Sequence, residues 1–256
     1  MDPTVLISHR DQCCVLTLSR EKALNALSGQ VLDELETALD AIPASARALV
    51  VTGAGSRAFC AGADVAGLSA LDRHAHRRNI DNAQRLFQKI SDLYVPSIAA
   101  INGYAFGGGL ELALACTFRV GSRRAKMGLP EIKLGLIPGY GGTQRLPRLI
   151  GVSRALELIM SGRTVEAEEA GRLGLLDRVT DADVLDVAFE LARSFTGYSL
   201  PALHLVRGAV ARGMSVPLHE GLAIEADAAE LAFGLADARE GMVAFVEKRA
   251  PKFIDG

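Results

Sequence analysis

The chain has little net charge. Its 256 residues carry 28 basic against 30 acidic side chains, a formal balance of −2. Such a balance gives no support for broad binding to nucleic acid or an anionic membrane, although it leaves room for a local basic patch against a phosphorylated ligand. Long apolar runs are missing as well. No stretch is long and apolar enough to span a bilayer, and the first residues, with Asp2, His9, Arg10 and Asp11, hold no apolar core of a signal peptide. Cysteine is sparse. Cys13, Cys14, Cys60 and Cys116 show no metal-ligand spacing, and the first two are neighbours in an expected strand. Reduced, buried thiols in a cytoplasmic protein are the expectation, with no bound metal. Linkers, low-complexity segments and internal repeats that would separate independent domains are absent too. What remains is ordinary for a soluble globular protein, 49% hydrophobic and 23% charged. The length suffices for a large core, as one domain or one domain plus an appendage.

One stretch organises the rest, Pro96 to Cys116. Ile98 to Ile101 reads as a buried strand, broken by Asn102-Gly103. Gly107-Gly108-Gly109 then frees the backbone for conformations closed to other residues. From Leu110 the pattern is helical and apolar, except for Glu111. A carboxylate in the first turn of a buried helix is costly unless paired, and the unpaired N–H groups of that turn offset part of the cost. Backbone donors beside a carboxylate of tuned pKa suit chemistry in which negative charge develops on a carbonyl oxygen while a proton moves nearby.

Around this stretch the chain alternates. Val5–Ser8 and Cys13–Leu18 read as a hairpin. Ser28 reads as the cap of a helix through Ile42, with Val31, Leu32, Leu35, Leu39 and Ile42 on one face. Ala48–Thr52 is an expected strand, Gly53–Ala58 a turn-rich loop, 71–93 a helix with many polar positions, and Phe118–Gly121 another strand. Residues 125–131 look irregular. Repeated strand–strand–helix units of this kind suggest an α/β fold of spiralling turns rather than a doubly wound sheet. After Gly151 helices dominate: 153–161, 164–173 with Thr164 at its start and Gly174 at its stop, 182–196, 202–212 and 216–250.

Three constellations stand out. In Phe59-Cys-Ala-Gly-Ala-Asp64 the reading is either an Ala63 N–H aimed at an oxyanion or a tight turn with Asp64 as a helix cap, and both can hold together. Glu111 and Glu131 stand on different elements amid apolar and glycine-rich sequence. Val50 to Ala58 offers a strand followed by Gly-x-Gly-x-x-Ala, a rival dinucleotide-binding reading that requires a helix directly after the glycines and an acidic residue ending a second strand. Asp72, at the expected distance, falls in the expected helix over 71–93 instead. The segment 65–82 carries Arg73, His74, His76, Arg77 and Arg78, read as a solvated face or as a lining for a polar acyl group.

Gly103-Tyr-Ala-Phe-Gly-Gly-Gly-Leu-Glu111, together with Pro130-Glu-Ile-Lys-Leu-Gly-Leu-Ile-Pro-Gly-Tyr-Gly-Gly-Thr-Gln-Arg-Leu146 and Glu240 to Phe253, resembles the enoyl-CoA hydratase/isomerase (crotonase) family, from about Val15 to Phe253. The resemblance implies a crotonase-like spiral of β-β-α units over 1–195 and a C-terminal helical oligomerisation region over 196–256, assembling a homotrimer or a dimer of trimers. It implies that Ala63 and Gly108 supply the oxyanion hole, that Glu131 gives a proton to C2 and that Glu111 orients water for addition to a 2-enoyl thioester. Coenzyme A would enter as part of the substrate, with no resident cofactor. Lys22, Ala23, Leu24, Arg57, Ala61, Asp64 and Val65 would lie along it, and Phe245 and Lys248 would reach it from a neighbouring subunit. Tyr140 departs from the small residue or Phe that relatives often carry there, which bears on the acyl pocket. An isomerase or another acyl-CoA lyase is the alternative within the family, and a non-catalytic binder on the same fold lies outside it.

Overall fold

The computed structural model describes residues 2–256. It comprises two compact units. One runs up to Leu93 and from Ser97 to Leu191, the other holds 94–96 and 192–256.

The first unit opens on a hairpin. Strands β1 (Val5–Arg10) and β2 (Cys13–Leu18) pair antiparallel, with Val5 opposite Leu18. Ser28 then caps helix α1 (Gly29–Asp40) by accepting from the Val31 N–H, and Val31, Leu32, Leu35 and Leu39 form its buried face. The helix ends at Asp40, short of Ile42, because Pro43 disfavours helical backbone in the residue before it.

Strand pairs separated by helices follow. Strands β3 (Ala48–Gly53) and β4 (Ala58–Cys60) lead to α2 (Val65–Ser69) and α3 (Arg73–Ser91). Next come β5 (Ser97–Ile101), β6 (Tyr104–Phe106) and α4 (Gly108–Ala115). The third pair, β7 (Phe118–Ser122) and β8 (Lys126–Gly128), runs into a 3-10 turn at Pro130–Leu134. Helices α5 (Gly142–Ile150) and α6 (Val152–Ser161), strand β9 (Val165–Glu166), helix α7 (Ala167–Leu173) and strand β10 (Arg178–Thr180) complete the series. The first strand of each pair joins a six-stranded sheet ordered β1-β2-β3-β5-β7-β10, and the second joins a four-stranded sheet ordered β4-β6-β8-β9. Neighbours are parallel except β1–β2 and β8–β9. One strand to each sheet, then a helix, is the spiral α/β organisation expected from the sequence. Strands β3 and β5 are buried throughout, as strands covered on both faces must be, hence the apolar runs Ala48–Val51 and Ile98–Ile101 within them.

Several boundaries differ from expectation. Residues 125–131 are not irregular throughout: Lys126, Met127 and Gly128 pair with Tyr104, Ala105 and Phe106. A strand this short shows no readable period. Thr164 does not start a helix. Val165 pairs with Met127 instead, so α7 waits until Ala167, and sheet pairing overrides the local capping preference. The loop 54–57 enters a strand, not a helix, and Asp72 caps α3 by accepting from the Ala75 N–H at 2.7 Å, which removes the dinucleotide-binding reading.

The second unit holds most of the remaining helices. After α8 (Val184–Thr196) come α9 (Leu200–Gly213), α10 (Leu218–Phe233) and α11 (Ala236–Val246). The single helix expected over 216–250 is thus two. Gly234, a poor helix former, closes α10 with its N–H shared between the Glu230 and Leu231 carbonyls, and Leu235 is extended. Buried Asp237 accepts from the Ile254 and Asp255 N–H groups and pins the C-terminal tail back on α11. No described helix is long and apolar enough to cross a membrane.

Candidate active site

The site begins at three glycines. Gly107, at φ 51°, is the N-cap of α4, so the helix starts at Gly108, two residues before its apolar pattern becomes readable at Leu110. The Gly108 N–H therefore belongs to the first turn, where no intrahelical acceptor exists. Gly109 brings the helix against β4: a methyl group on it would lie 2.1 Å from the Cys60 carbonyl oxygen. On the other side, a Cβ on Gly62 (φ 113°) would lie 3.0 Å from the Phe106 carbonyl oxygen and 3.8 Å from the Gly107 Cα. The loop from Ala61 to Asp64 is thus laid along the start of α4.

A second loop holds that one in place. Ala61 N–H donates to the Leu24 carbonyl at 3.0 Å, Leu27 N–H to Gly62 at 2.8 Å, and Asp64 N–H to Leu27 at 2.9 Å. This ladder uses the amides on either side of Ala63. Among the described residues neither the Ala63 nor the Gly108 N–H has a protein acceptor. Asp64 caps α2 by accepting from the Gly67 N–H at 3.4 Å and pairs with Arg20 at 3.2 Å, so the turn carries the helix cap expected of Asp64. Arg20 also donates to the Ala26 carbonyl. Buried Asn25, at φ 58°, accepts from the Arg20 N–H and donates to the Ala54 and Ala58 carbonyls. Arg20 and Asn25 in these supporting roles were not legible in the sequence. The one available signal was an Asn in an otherwise apolar Ala-Leu-Asn-Ala-Leu run, where a left-handed residue is most easily an Asn.

The two glutamates approach from different elements. Glu111 is 1% exposed, and its Oε1 accepts from the Tyr140 N–H at 2.8 Å and the Gly142 N–H at 2.7 Å. Burial pushes its pKa up to about 7, against the opposing effect of the Gly142 N–H and with the help of the nearby Glu131 charge. Glu131 follows Pro130 in the 3-10 turn. Its Oε1 lies 3.1 Å from where a Cβ on Gly107 would stand, and burial raises its pKa too. Its Oε2 is buried with no hydrogen-bond partner among the described residues. A buried polar atom left unpaired is costly, and a bound water or substrate proton is the natural partner for it.

The structure therefore brings Glu111, Glu131, Ala63 and Gly108 to the start of α4, with Leu24, Ala61 and Asp64 along the adjoining loops. Lys22 and Ala23 are exposed in a 3-10 turn, Val65 is exposed at the start of α2, and the Arg57 side chain is exposed in the loop after β3. Phe245 and Lys248 belong to the second unit, where Phe245 is 85% exposed. Arg73, His74, Arg77 and Arg78 are solvated on α3, and Arg77 pairs with Asp81. All four cysteines are buried and none is in a disulfide, and burial pushes Cys60 and Cys116 up to about 12, leaving them protonated and unreactive.

Comparison with known proteins points the same way. Residues 9–256 match the family model for enoyl-CoA hydratase/isomerase. The chain is 38% identical over 253 residues to the crotonyl-CoA hydratase of Syntrophomonas wolfei, covering 98% of this chain and 97% of that one. Identity to the short-chain-enoyl-CoA hydratase of Clostridium acetobutylicum is 36%, over 96% of this chain and 95% of that one. The crystal structure of the enoyl-CoA hydratase from Bacillus anthracis superposes with a TM-score of 0.95 at 39% identity, covering 99% of this chain and all of that one. A spiral α/β fold shared over its full length, and a family match over nearly all of its sequence, establish the chain as an enzyme that belongs to the enoyl-CoA hydratase/isomerase family.

Proposed function

We propose that the enzyme adds water reversibly across the 2,3 double bond of a trans-2-enoyl-CoA, giving the 3-hydroxyacyl-CoA. The observation that carries this reading is the pair of carboxyl groups at the start of α4, where buried Glu111 has a pKa near 7 and part-exposed Glu131 keeps one buried oxygen unpaired. The thioester oxygen would accept from the Ala63 and Gly108 N–H groups, which stabilise the enolate-like charge that develops during addition. One water held between the two carboxyl groups adds its oxygen to C3. Glu111 orients this water and draws off its proton, and Glu131 delivers a proton to C2, so hydration consumes one water and returns the pair to a single shared proton. Isomerisation of a double bond needs only one proton shuttle, so a second glutamate in the site favours hydration.

Coenzyme A would be substrate rather than resident cofactor. Lys22, Ala23, Leu24, Arg57, Ala61, Asp64 and Val65 are the residues proposed to flank it, with Phe245 and Lys248 supplied by another copy of the chain. Self-association, as a trimer or a dimer of trimers, is supported by the apolar residues that α9 and α10 leave uncovered, among them Val206, Val210, Met214, Leu218 and Leu222. A particle mass of three or six chains by light scattering is expected, and a monomer at micromolar concentration would refute it. Four buried thiols outside any disulfide suit a cytoplasmic location.

The direct test is loss of 2-enoyl thioester absorbance when the purified protein meets crotonyl-CoA. Rapid loss supports hydration. No loss with any enoyl chain length, combined with turnover of a 3-enoyl-CoA, would replace hydration with isomerisation.

A further inference from the structure

The turn from Pro138 to Gly142 contains one large side chain, Tyr140, and it points inward with 6% exposure. Its backbone N–H holds Glu111 at 2.8 Å. Its ring lies on Gly108, where an added methyl would stand 2.9 Å from Cδ2 and 3.1 Å from Cε2. The ring meets Phe87 edge-on, with centroids 5.9 Å apart. Its hydroxyl accepts from Asn79 Nδ2 of α3 at 2.6 Å. Ile80, the next residue of α3, packs beside Gly139 in the same turn, 3.5 Å from the position of a Cβ there.

These contacts restrain the ring at both ends and along an edge. Swinging it aside would break the Asn79 bond, leave a buried phenol unpaired and open the Phe87 contact, each of which costs free energy. A side chain held this way is a wall rather than a flap. Its position relative to the chemistry follows from two of the same contacts: the ring touches the glycine whose N–H would hold the thioester oxygen, and its amide grips the carboxylate that would orient the water. If C2 and C3 lie between Glu111 and Glu131, as the hydratase reading requires, acyl carbons beyond C3 would come up against this ring within a few bonds.

We infer that Tyr140, held by Asn79, is the specificity-determining residue that limits acyl length and makes the enzyme selective for short 2-enoyl thioesters. This rests on the hydratase reading. The wall is steric, so the phenol oxygen acts by anchoring the ring rather than by touching substrate, and Asn79 is a positioning residue.

The test measures kcat/KM with crotonyl-, hexenoyl-, octenoyl- and decenoyl-CoA for the wild type, Tyr140→Ala, Tyr140→Phe and Asn79→Ala. A mis-sized apolar pocket discriminates by roughly 10–200-fold per methylene group at best, so the wild type should lose tenfold or more between crotonyl- and octenoyl-CoA. Tyr140→Ala should flatten or invert that ratio, Tyr140→Phe should keep its direction, and Asn79→Ala should move it partway toward Tyr140→Ala. Calorimetric binding of butyryl-CoA and octanoyl-CoA reads the same slot without turnover, so failure of hydration and failure of the length limit can be told apart. A wild type that binds octanoyl-CoA as tightly as butyryl-CoA overturns the inference whatever its activity. So does a chain-length ratio unchanged in Asn79→Ala and Tyr140→Ala. Should Tyr140→Ala fail to fold, Asn79→Ala, which leaves every contact of Glu111 in place, decides alone.

Discussion

Glu131→Gln should lower turnover of crotonyl-CoA by a factor on the order of 10²–10⁴, the usual scale for a positioned acid–base group, while leaving the melting curve nearly unchanged. The amide keeps the size of the carboxyl group but cannot give a proton to C2. Glu131 is part-exposed in a 3-10 turn and makes no side-chain hydrogen bond that the fold depends on, so its loss should cost chemistry rather than stability. Glu111→Gln should lose activity on the same scale, with a different signature in stability. Its folded pKa of about 7 exceeds the ordinary 4.5, so the folded protein binds more protons than the unfolded chain between those values. The stability this contributes is complete below about pH 4.5 and is lost as pH rises through 7. A glutamine escapes that loss, since its amide oxygen can still accept from Tyr140 and Gly142. The variant should therefore gain on the wild type as pH rises, by on the order of 3 kcal/mol at pH 8, and the gain should vanish near pH 4.5. Urea titrations at the two pH values measure it. Wild-type turnover in both variants would remove the paired-carboxylate mechanism, and a stability gap independent of pH would remove the account of Glu111.

Gly109→Ala should be the most destabilising single methyl in the site. The added Cβ would stand 2.1 Å from the Cys60 oxygen and 2.7 Å from its carbon, both backbone atoms of β4. Neither side can yield by a rotamer change. Strand β4 is paired to β6 and fully buried, and α4 is buried on every face. Overpacking costs about 1–3 kcal/mol where side chains can adjust and more where backbone must move, so a loss of at least ~3 kcal/mol is expected. For a chain of this size that lowers Tm by about 10 °C, with activity lost in the fraction that stays folded, because β4 leads directly into the Ala63 loop. Gly29→Ala is the contrast: nothing lies within 4 Å of its added methyl, and the residue opens α1. Its Tm should hold or rise slightly, since Ala is the better helix former. Equal shifts in calorimetry for the two variants would show that the close approach of α4 to β4 is not what requires glycine.

Local signals carried much of the architecture. Ser28 before an apolar stripe, the hairpin of β1 and β2, and the buried runs of β3 and β5 each announce themselves within a few residues, because capping and strand burial are short-range requirements. The second sheet was hidden because β4, β6 and β8 are only three residues long and take their conformation from their partners. The break between α10 and α11 was hidden for a related reason: Asp237 and the tail that it holds are separated in sequence. The site divides along the same line. Residue types and their immediate neighbours marked Glu111, Glu131, Ala63 and the triple glycine as unusual, and family resemblance gave them roles.

Only the tertiary structure decided what those residues touch. Glu111 is gripped by amides of a turn that the sequence presents as a separate motif, Gly109 needs to be glycine because of a carbonyl in β4, and Tyr140 becomes a wall because α3 supplies Asn79. The amino-acid sequence by itself determined where the chain can turn, which faces it must bury and which side chains can carry a proton, since these are properties of single residues and their spacing. Distances between elements, and with them the pKa of Glu111 and the length of the acyl slot, arise only when the spiral closes and brings separate segments into contact.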